Sequence, residues 1–82
     1  MNKLLVEVYV PAIGSVYDVF IPIGAKVYEL APLISTAIEK LSDGLFASAD
    51  TVLCDGVSGS IYNINLSVED MKLKNGSRLM LI

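Results

Sequence analysis

The sequence predicts an α+β fold in a single domain, residues 1–82, and three features of the sequence predict it. Apolar residues alternate with polar ones in two early stretches, which is the period of half-buried strands. The spacing then changes to that of an amphipathic helix, and it returns to alternation in the last residues. A hairpin that leads into a helix covering one sheet face, followed by further strands, is an α+β roll. A chain of 82 residues has room for one hydrophobic core.

The first two strands are predicted to form a β-hairpin. Residues 4–10 alternate, with three valines on one face, and residues 16–21 alternate again. The loop between them contains Gly14, which is free to adopt a positive φ. Two alternating stretches separated by a short loop of this composition are typical of a hairpin.

The main helix is predicted over residues 27–41, where apolar residues recur at helical spacing. Pro32 lies about one and a half turns inside this stretch, where its ring and its missing N–H disturb the hydrogen-bond ladder. Two alternatives follow: the helix begins near Pro32, or its first turn is irregular or kinked. Gly44 is predicted to end the helix in a left-handed conformation.

Three more strands and one helical turn are predicted after the helix. The strands are residues 51–55, 61–64 and 78–82. Residues 67–70 begin with a serine and have an acid three residues later, which indicates a capped helical turn. The expected order is therefore strand, strand, helix, strand, strand, short helical turn, strand, in a mixed five-stranded sheet.

Composition narrows the classes of function. Apolar residues make up 54% of the chain and charged residues 18%, whereas about 25% charged is usual. So small a domain cannot hide that apolar surplus, and a clustered exposed patch usually marks a partner site. The formal net charge is −3 and the six basic residues are scattered, so no nucleic-acid partner is expected. No signal peptide is recognised and no apolar run reaches the roughly 18 residues that span a bilayer, so a cytoplasmic protein without membrane insertion is predicted.

No combination of residues supports catalysis, so the protein is predicted not to be an enzyme and to use no metal or cofactor. The sequence contains no histidine and one cysteine, Cys54. These counts exclude Ser-His-Asp triads and Cys-His zinc sites. Alternation puts Val52 and Cys54 on one side of the third strand, and we assign that side to the core with Leu53 facing outward. Cys54 is therefore predicted to be a buried thiol.

The order of elements resembles the β-grasp arrangement of ubiquitin-like proteins. The segment LSVEDMKLKNGSRLMLI looks like the capped turn, loop and final strand of ubiquitin. A narrower resemblance is to the small bacterial YukD-like proteins that accompany type VII (ESX-type, WXG-substrate) secretion systems. It is carried by Val16-Tyr17-Asp18 and by the NGSRLMLI ending. This resemblance implies a cytosolic accessory subunit that is not conjugated and that contacts the secretion machinery, with its membrane-associated ATPase as the candidate partner.

Conjugated ubiquitin-like proteins and sulfur carriers of this fold need a flexible Gly-Gly tail, whose carboxylate an activating enzyme adenylates. The sequence ends at Leu81-Ile82 without that tail, so neither chemistry is expected. Two alternatives stay open. One is a sulfur-carrier or modifier protein whose tail is missing from the sequence. The other is a ubiquitin-like domain of a larger secretion component.

A docking patch is predicted on the sheet face away from the helix, because the first and last strands of a β-grasp sheet are neighbours. The predicted patch consists of Leu5, Leu53, Met80 and Ile82, and Tyr9 and Phe20 extend it. A contiguous apolar face of this kind indicates a protein partner, and Leu53→Arg is expected to remove binding and leave the domain folded. Weak self-association through the same face, or no role at all, are the alternatives.

Overall fold

The computed structural model describes residues 2–47 and 51–82. Its elements are β1 (Lys3–Val10), a 3-10 turn (Pro11–Ile13), β2 (Ser15–Pro22), α1 (Val27–Leu41), β3 (Leu53–Asp55) and β4 (Arg78–Leu81). The sheet has the order β2-β1-β4-β3. Its central pair, β1 and β4, is parallel, and the two outer pairs are antiparallel. The predicted α+β roll with a mixed sheet is therefore present.

The hairpin of β1 and β2 forms as predicted. The two strands pair from Lys3–Pro22 to Val10–Ser15. The three valines of β1 are buried against α1, and the alternate residues of β2 complete this inner face. Gly14 adopts a left-handed conformation, with φ of 61°, and its N–H donates to the Pro11 carbonyl at 3.1 Å. A non-glycine residue is strained in that conformation, so Gly14 lets the short loop close.

α1 runs without interruption through Pro32, so the alternative of a helix beginning near Pro32 is wrong. The residue that caps the helix start is Lys26, whose N–H donates to Glu29 Oε1 at 3.1 Å. Pro32 is tolerated because it is exposed, and the N–H that it lacks would have served only the carbonyl of Tyr28 in the first turn. The buried side of α1 consists of Val27, Leu30, Ile34, Ser35 and Ile38.

α1 ends in the turn that the sequence predicts. Asp43 and Gly44 both have left-handed backbones, with φ of 53° and 81°. The Gly44 N–H donates to the Glu39 carbonyl at 2.9 Å, and the Asp43 N–H donates to the Lys40 carbonyl at 3.2 Å. These two bonds satisfy carbonyls that the last helical turn leaves free.

The described residues contain four strands, where five were predicted. Residues 61–64 do not form the fourth predicted strand, because only Ile61 pairs with the sheet, in an isolated bridge to Cys54. Two backbone bonds flank this bridge, from the Tyr62 N–H to the Leu53 carbonyl and from the Asp55 N–H to the Ser60 carbonyl. The chain leaves the sheet immediately after the bridge.

Helix α1 supplies the reason that this strand stops. The N–H groups of Val27 and Tyr28 have no partner within the helix, because they belong to its first turn. The Leu66 carbonyl accepts from Val27 at 2.9 Å, and the Ile64 carbonyl accepts from Tyr28 at 3.1 Å. Carbonyls that cap the start of α1 are not available to extend the sheet. Residues 63–66 therefore lie against the first turn of α1 instead of pairing with β3.

Residues 67–70 form a single capped turn, which is not long enough to be a helix. The Asp70 N–H donates to Ser67 Oγ at 3.0 Å, and the Ser67 N–H donates to Asp70 Oδ2 at 3.1 Å. This reciprocal pair is the one that a capping sequence predicts. Val68, buried in the core, attaches the turn to the domain through its N–H, which donates to the Ala25 carbonyl at 3.0 Å.

Acid is expected to weaken the domain partly through Asp70. The Ser67 N–H, and after it the Ser67 hydroxyl, hold the pKa of the Asp70 carboxyl below its ordinary value of 3.8. A lowered folded-state pKa contributes stability that is complete above the ordinary value and is lost as pH falls through the folded-state pKa. In Asp70→Asn the urea midpoint should therefore fall less between about pH 6 and about pH 3 than in the parent. Glu69→Gln removes a charge from the same turn and is the control, and an unchanged acid dependence in Asp70→Asn would contradict the assignment.

The hydrophobic core lies between α1 and the inner face of the sheet. Leu79 and Leu81 of β4 are fully buried and belong to the same apolar cluster as Leu30 and Ile34 of the helix. Among residues 2–47 and 51–82, no helix combines the length and the hydropathy that crossing a bilayer requires. The other face of the sheet, away from α1, carries no covering element in this part of the chain, and we call it the open face.

Candidate functional site

The strand register determines which side chains meet on the open face. Side chains that are directly opposite each other on neighbouring strands point to the same face. Tyr9 is opposite Val16 on one side and Met80 on the other. Cys54 is in turn opposite Met80 and Ile61. One uninterrupted row therefore crosses the sheet, which we call the apolar row: Val16, Tyr9, Met80, Cys54 and Ile61.

The apolar row is accessible at most of its positions. Tyr9 is 42% exposed, Val16 52% and Ile61 68%, and Met80 is half-buried between its neighbours. Four strand spacings of about 4.8 Å give the row a length of about 19 Å. It is therefore a continuous apolar strip, in contrast to scattered apolar residues, which are ordinary on protein surfaces.

Ile82 and Val52 extend the apolar row along the β3–β4 ladder. The Ile82 N–H donates to the Val52 carbonyl at 3.0 Å, and the Val52 N–H donates to the Ile82 carbonyl at 2.8 Å. A pair that exchanges both bonds lies directly opposite, two residues beyond Met80 and Cys54, so both side chains are on the open face. Both are exposed. We call the apolar row together with Val52 and Ile82 the open-face patch.

Leu53 does not belong to this patch, and its predicted outward orientation is wrong. It is 2% exposed and pairs with Leu81 on the core side of the sheet. The alternation of Val52, Leu53 and Cys54 is as predicted, but the two faces are exchanged. All three side chains are apolar, so the pattern carried no information about which face is inside, and the register with β4 decides it.

Cys54 is buried, although it lies on the open face and not on the predicted inner one. Its burial raises the pKa of the thiol, so the neutral form is favoured. A neutral thiol without a basic neighbour is a poor nucleophile. Within residues 2–47 and 51–82, no group of three or more His, Cys, Asp or Glu side chains could hold a metal ion.

Leu5 and Phe20 form a second apolar pair, separate from the patch. They are opposite each other on β1 and β2. Between this pair and Tyr9 runs a band of charged side chains: Asp18, Glu7 and Arg78. Arg78 Nε lies 3.5 Å from Glu7 Oε1. Four residues of strand, about 13 Å, separate Leu5 from Tyr9, so the structure does not bring Leu5 and Phe20 together with Met80 and Ile82.

An apolar groove adjoins the open-face patch at the β3 edge of the sheet. It has a volume of about 310 Å³ and lies between the first turns of α1 and residues 61–64. Tyr28 and Pro32 line its helix side. Val52 and Ile61 line it too, and they also belong to the patch.

The sequence alone did not identify Val16, Val52 and Ile61 as site residues. The alternation of β2 was enough to place Val16 on the outer face, whereas Val52 and Ile61 could be placed only from the pairing register of β3.

Comparisons with known proteins define the fold. No protein-family model matches the chain, and no curated protein matches it. Among solved structures, the ubiquitin-like domain of EccD5 from Mycobacterium xenopi is 20% identical with a TM-score of 0.72, over 100% of this chain and 94% of that one. The N-terminal ubiquitin-like domain of the 4931431F19Rik protein is 17% identical with a TM-score of 0.73, over 99% of this chain and 74% of that one.

A chain of the MycP5-free ESX-5 inner membrane complex is also similar, at 20% identity and a TM-score of 0.71. The match covers 100% of this chain and 21% of that much longer one. At these identities the similarity shows the fold alone. The domain has the ubiquitin-like β-grasp fold, with one helix and a mixed sheet.

Proposed function

We propose that the domain is a non-catalytic protein-interaction module that docks a protein partner on its open-face patch. The main support is the apolar row, which crosses all four strands of the sheet and has three exposed side chains, Val16, Tyr9 and Ile61. The charged band of Asp18, Glu7 and Arg78 runs along one side of it. An apolar area with a charged margin is typical of a protein–protein contact, because the apolar centre supplies affinity and the margin supplies specificity.

The chemistry of the patch suits a docking surface. Tyr9 offers a large, rigid apolar ring with a polar hydroxyl, which is the kind of side chain that dominates binding energy at interfaces. Met80, beside it, has a flexible thioether that adapts to the shape of a partner. Cys54, which is buried on the other side of Met80 from Tyr9, adds no charge, so the centre of the patch loses little hydration energy on binding.

The proposed setting is a type VII secretion system, in which this domain is a cytosolic accessory component that acts by docking and is not conjugated. The similarity to the EccD5 ubiquitin-like domain and to a chain of the ESX-5 inner membrane complex supports this setting. The resemblance of the sequence to YukD-like proteins agrees with it. The first candidate partner is the membrane-associated ATPase of the secretion machinery.

A double charge variant tests the docking surface. Tyr9→Glu with Met80→Glu should weaken binding to the purified cytosolic part of the secretion ATPase by about 100-fold or more, since two interface centres contribute about 1.5–2 kcal/mol each. Binding is measured by calorimetry, and folding by circular dichroism and the urea midpoint. The matched control is Leu45→Glu with Val57→Glu, which adds the same charges at exposed apolar positions outside the patch and should bind like the parent.

The outcomes separate the alternatives. A folded Tyr9/Met80 variant that binds as tightly as the parent would rule out the patch. A dimer in sedimentation experiments that the same variant dissociates would assign the patch to self-association. An adduct on the protein isolated from its own cells, detected by intact mass, would contradict the proposal that it is not conjugated.

A further inference from the structure

The outer strand β2 has a free edge on the side opposite to β1. The Ile23 N–H donates to the Asn2 carbonyl at 2.8 Å, so the pair just before the ladder is hydrogen-bonded. Hydrogen-bonded pairs recur at every second residue of an antiparallel ladder. From the register, residues 15, 17, 19 and 21 bond to β1, and Val16, Asp18 and Phe20 direct their N–H and C=O groups away from the sheet.

The hydrogen bonds on the β4 side of β1 agree with this alternation of bonded and unbonded residues. The Glu7 N–H donates to the Ser77 carbonyl at 2.9 Å, and the Leu5 carbonyl accepts from the Gly76 N–H at 2.8 Å. Odd-numbered residues of β1 therefore bond toward β4, which leaves the even-numbered ones for β2. Among residues 2–47 and 51–82, no backbone group is bonded to the free edge of Val16, Asp18 and Phe20.

Natural proteins usually protect a free edge with charges, prolines or a covering element, because unpaired backbone groups recruit another strand. The opposite edge of this sheet is protected from such pairing, because β3 has three residues and the Ile61 bridge covers it. β2 is an eight-residue strand whose only charge is Asp18 and whose only proline stands at its end. The β2 edge is thus long enough to accept a strand and is hardly protected.

An apolar groove follows the same edge, on the side of α1. It has a volume of about 300 Å³, and its lining includes Lys3, Phe20, Pro22, Leu33 and Ala37. Leu33 and Ala37 also line a second hollow on the outer side of α1, where Lys40 stands. Leu33 is 53% exposed. The charged side chains that line the two hollows, Lys3 and Lys40, are both cations, and neither is in an ion pair with a described residue.

We propose that the β2 edge binds an extended segment of a partner protein as an additional strand of the sheet. The segment has apolar side chains at alternate positions, which lie over Leu33 and Ala37, and carboxylates at its ends, which face Lys3 and Lys40. Backbone hydrogen bonds to Val16, Asp18 and Phe20 provide affinity, and the groove selects the side chains. This surface shares one residue, Val16, with the open-face patch and uses its backbone, whereas the patch uses its side chain, so the proposal does not rest on the proposed function.

A second copy of the chain fits this edge poorly. The antiparallel register that uses all three free residues of both copies places Asp18 opposite Asp18 of the other copy. Like charges directly opposite on neighbouring strands destabilise the pairing. The same carboxylate is harmless beside a neutral residue of a foreign strand, so the charge pattern favours a different partner.

The test uses a synthetic peptide of seven residues, Asp-Thr-Val-Thr-Val-Thr-Asp with blocked ends, whose aspartates share a face with the valines, and the 15N-labelled domain. Saturable NMR shifts with a Kd of about 1 mM or tighter are expected at Val16, Asp18, Phe20, Leu33 and Ala37. Hydrogen exchange of the three β2 amides should slow by about 10-fold at saturation. No saturable shift, or shifts confined to Tyr9 and Met80, would overturn the proposal.

Two methylated peptides separate strand addition from mere apolar contact. In an antiparallel pairing the threonines bond to β2 while the valines face the groove, because paired residues share a face. N-methylation of two of the threonines should therefore weaken binding by about 10-fold or more, and N-methylation of both valines should not. In a parallel pairing the two peptides exchange roles, which also supports strand addition. Equal affinity of the two would overturn it.

The same binding assay tests the role of the two lysines and the role of the groove. A peptide with lysine at both ends in place of aspartate should bind at least about 5-fold more weakly, and equal binding would overturn the role of Lys3 and Lys40. Leu33→Asp should lose peptide binding, and Val57→Asp, at an exposed site remote from the edge, should retain it. A dimer of the free protein whose β2 amides are already protected would show that a second copy is the occupant and would overturn the proposal.

Discussion

Leu53→Arg is expected to unfold the domain. Leu53 is 2% exposed and packs on the core side opposite Leu81, so arginine removes a buried leucine and places an unpaired charge in the core. The first effect costs about 2–5 kcal/mol and the second about 3–5 kcal/mol, so together they cost roughly 5–10 kcal/mol. A domain of this size has a free energy of unfolding of roughly 4–12 kcal/mol, so most or all of it is lost. Circular dichroism at 25 °C and a urea titration measure the result.

Val52→Arg is the matched control for Leu53→Arg, because Val52 is the adjacent residue on the opposite face. It is 40% exposed, so a long side chain there can keep its charge in water. Its urea midpoint should stay close to that of the parent, while partner binding through the open-face patch should weaken. A folded Leu53→Arg protein with the parent's midpoint would show that β3 has the opposite orientation.

Gly56→Ala is expected to destabilise the domain by about 1–3 kcal/mol through overpacking. A Cβ atom on Gly56 would lie 2.7 Å from the carbonyl carbon of Arg78 and 2.9 Å from its carbonyl oxygen. Both are backbone atoms of β4, which is paired with β1 on one side and β3 on the other. They cannot move away without disturbing one of these pairings, and the Gly56 N–H bond to the Arg78 carbonyl holds the two chains together at 2.9 Å.

Gly24→Ala is the control for the glycine substitution. Apart from Gly24 and its two chain neighbours, no atom of residues 2–47 and 51–82 lies within 4 Å of the Cβ that it would gain, and its φ is not positive. The change should be neutral or should stabilise by up to about 1 kcal/mol, because alanine has less freedom than glycine in the unfolded chain. Urea midpoints of the two variants give the comparison, and equal midpoints would show that the approach of Gly56 to β4 is not tight.

The elements that could be predicted from the sequence are those whose signal is local. The alternation in β1 and β2 placed the valines inside and Tyr9 outside, because apolar and polar residues differ on the two faces of that hairpin. The reciprocal bonds between Ser67 and Asp70 follow from a capping sequence of four residues. In each case the deciding interaction lies within a few residues of the chain or within one hairpin.

The candidate site depended on interactions between distant residues, and there the sequence was a poorer guide. Leu5 and Tyr9 share a face of β1, yet the Glu7–Arg78 contact separates them, and Arg78 is 71 positions from Glu7 along the chain. Residues 61–64 have the composition of a strand, but the carbonyls that follow Ile61 cap the start of α1. Neither fact is visible in the segment itself.

β3 shows most clearly which properties the sequence determines and which only the tertiary structure decides. Its apolar residues and their alternation are properties of the sequence, so a strand at this place was predictable. Both of its faces are apolar, however, and a strand with two apolar faces is stable in either orientation on hydrophobicity alone. The pairing of Leu53 with Leu81, and of Cys54 with Met80, makes the choice, because β4 already has its leucines in the core. That pairing determines which side chains the open face offers to a partner.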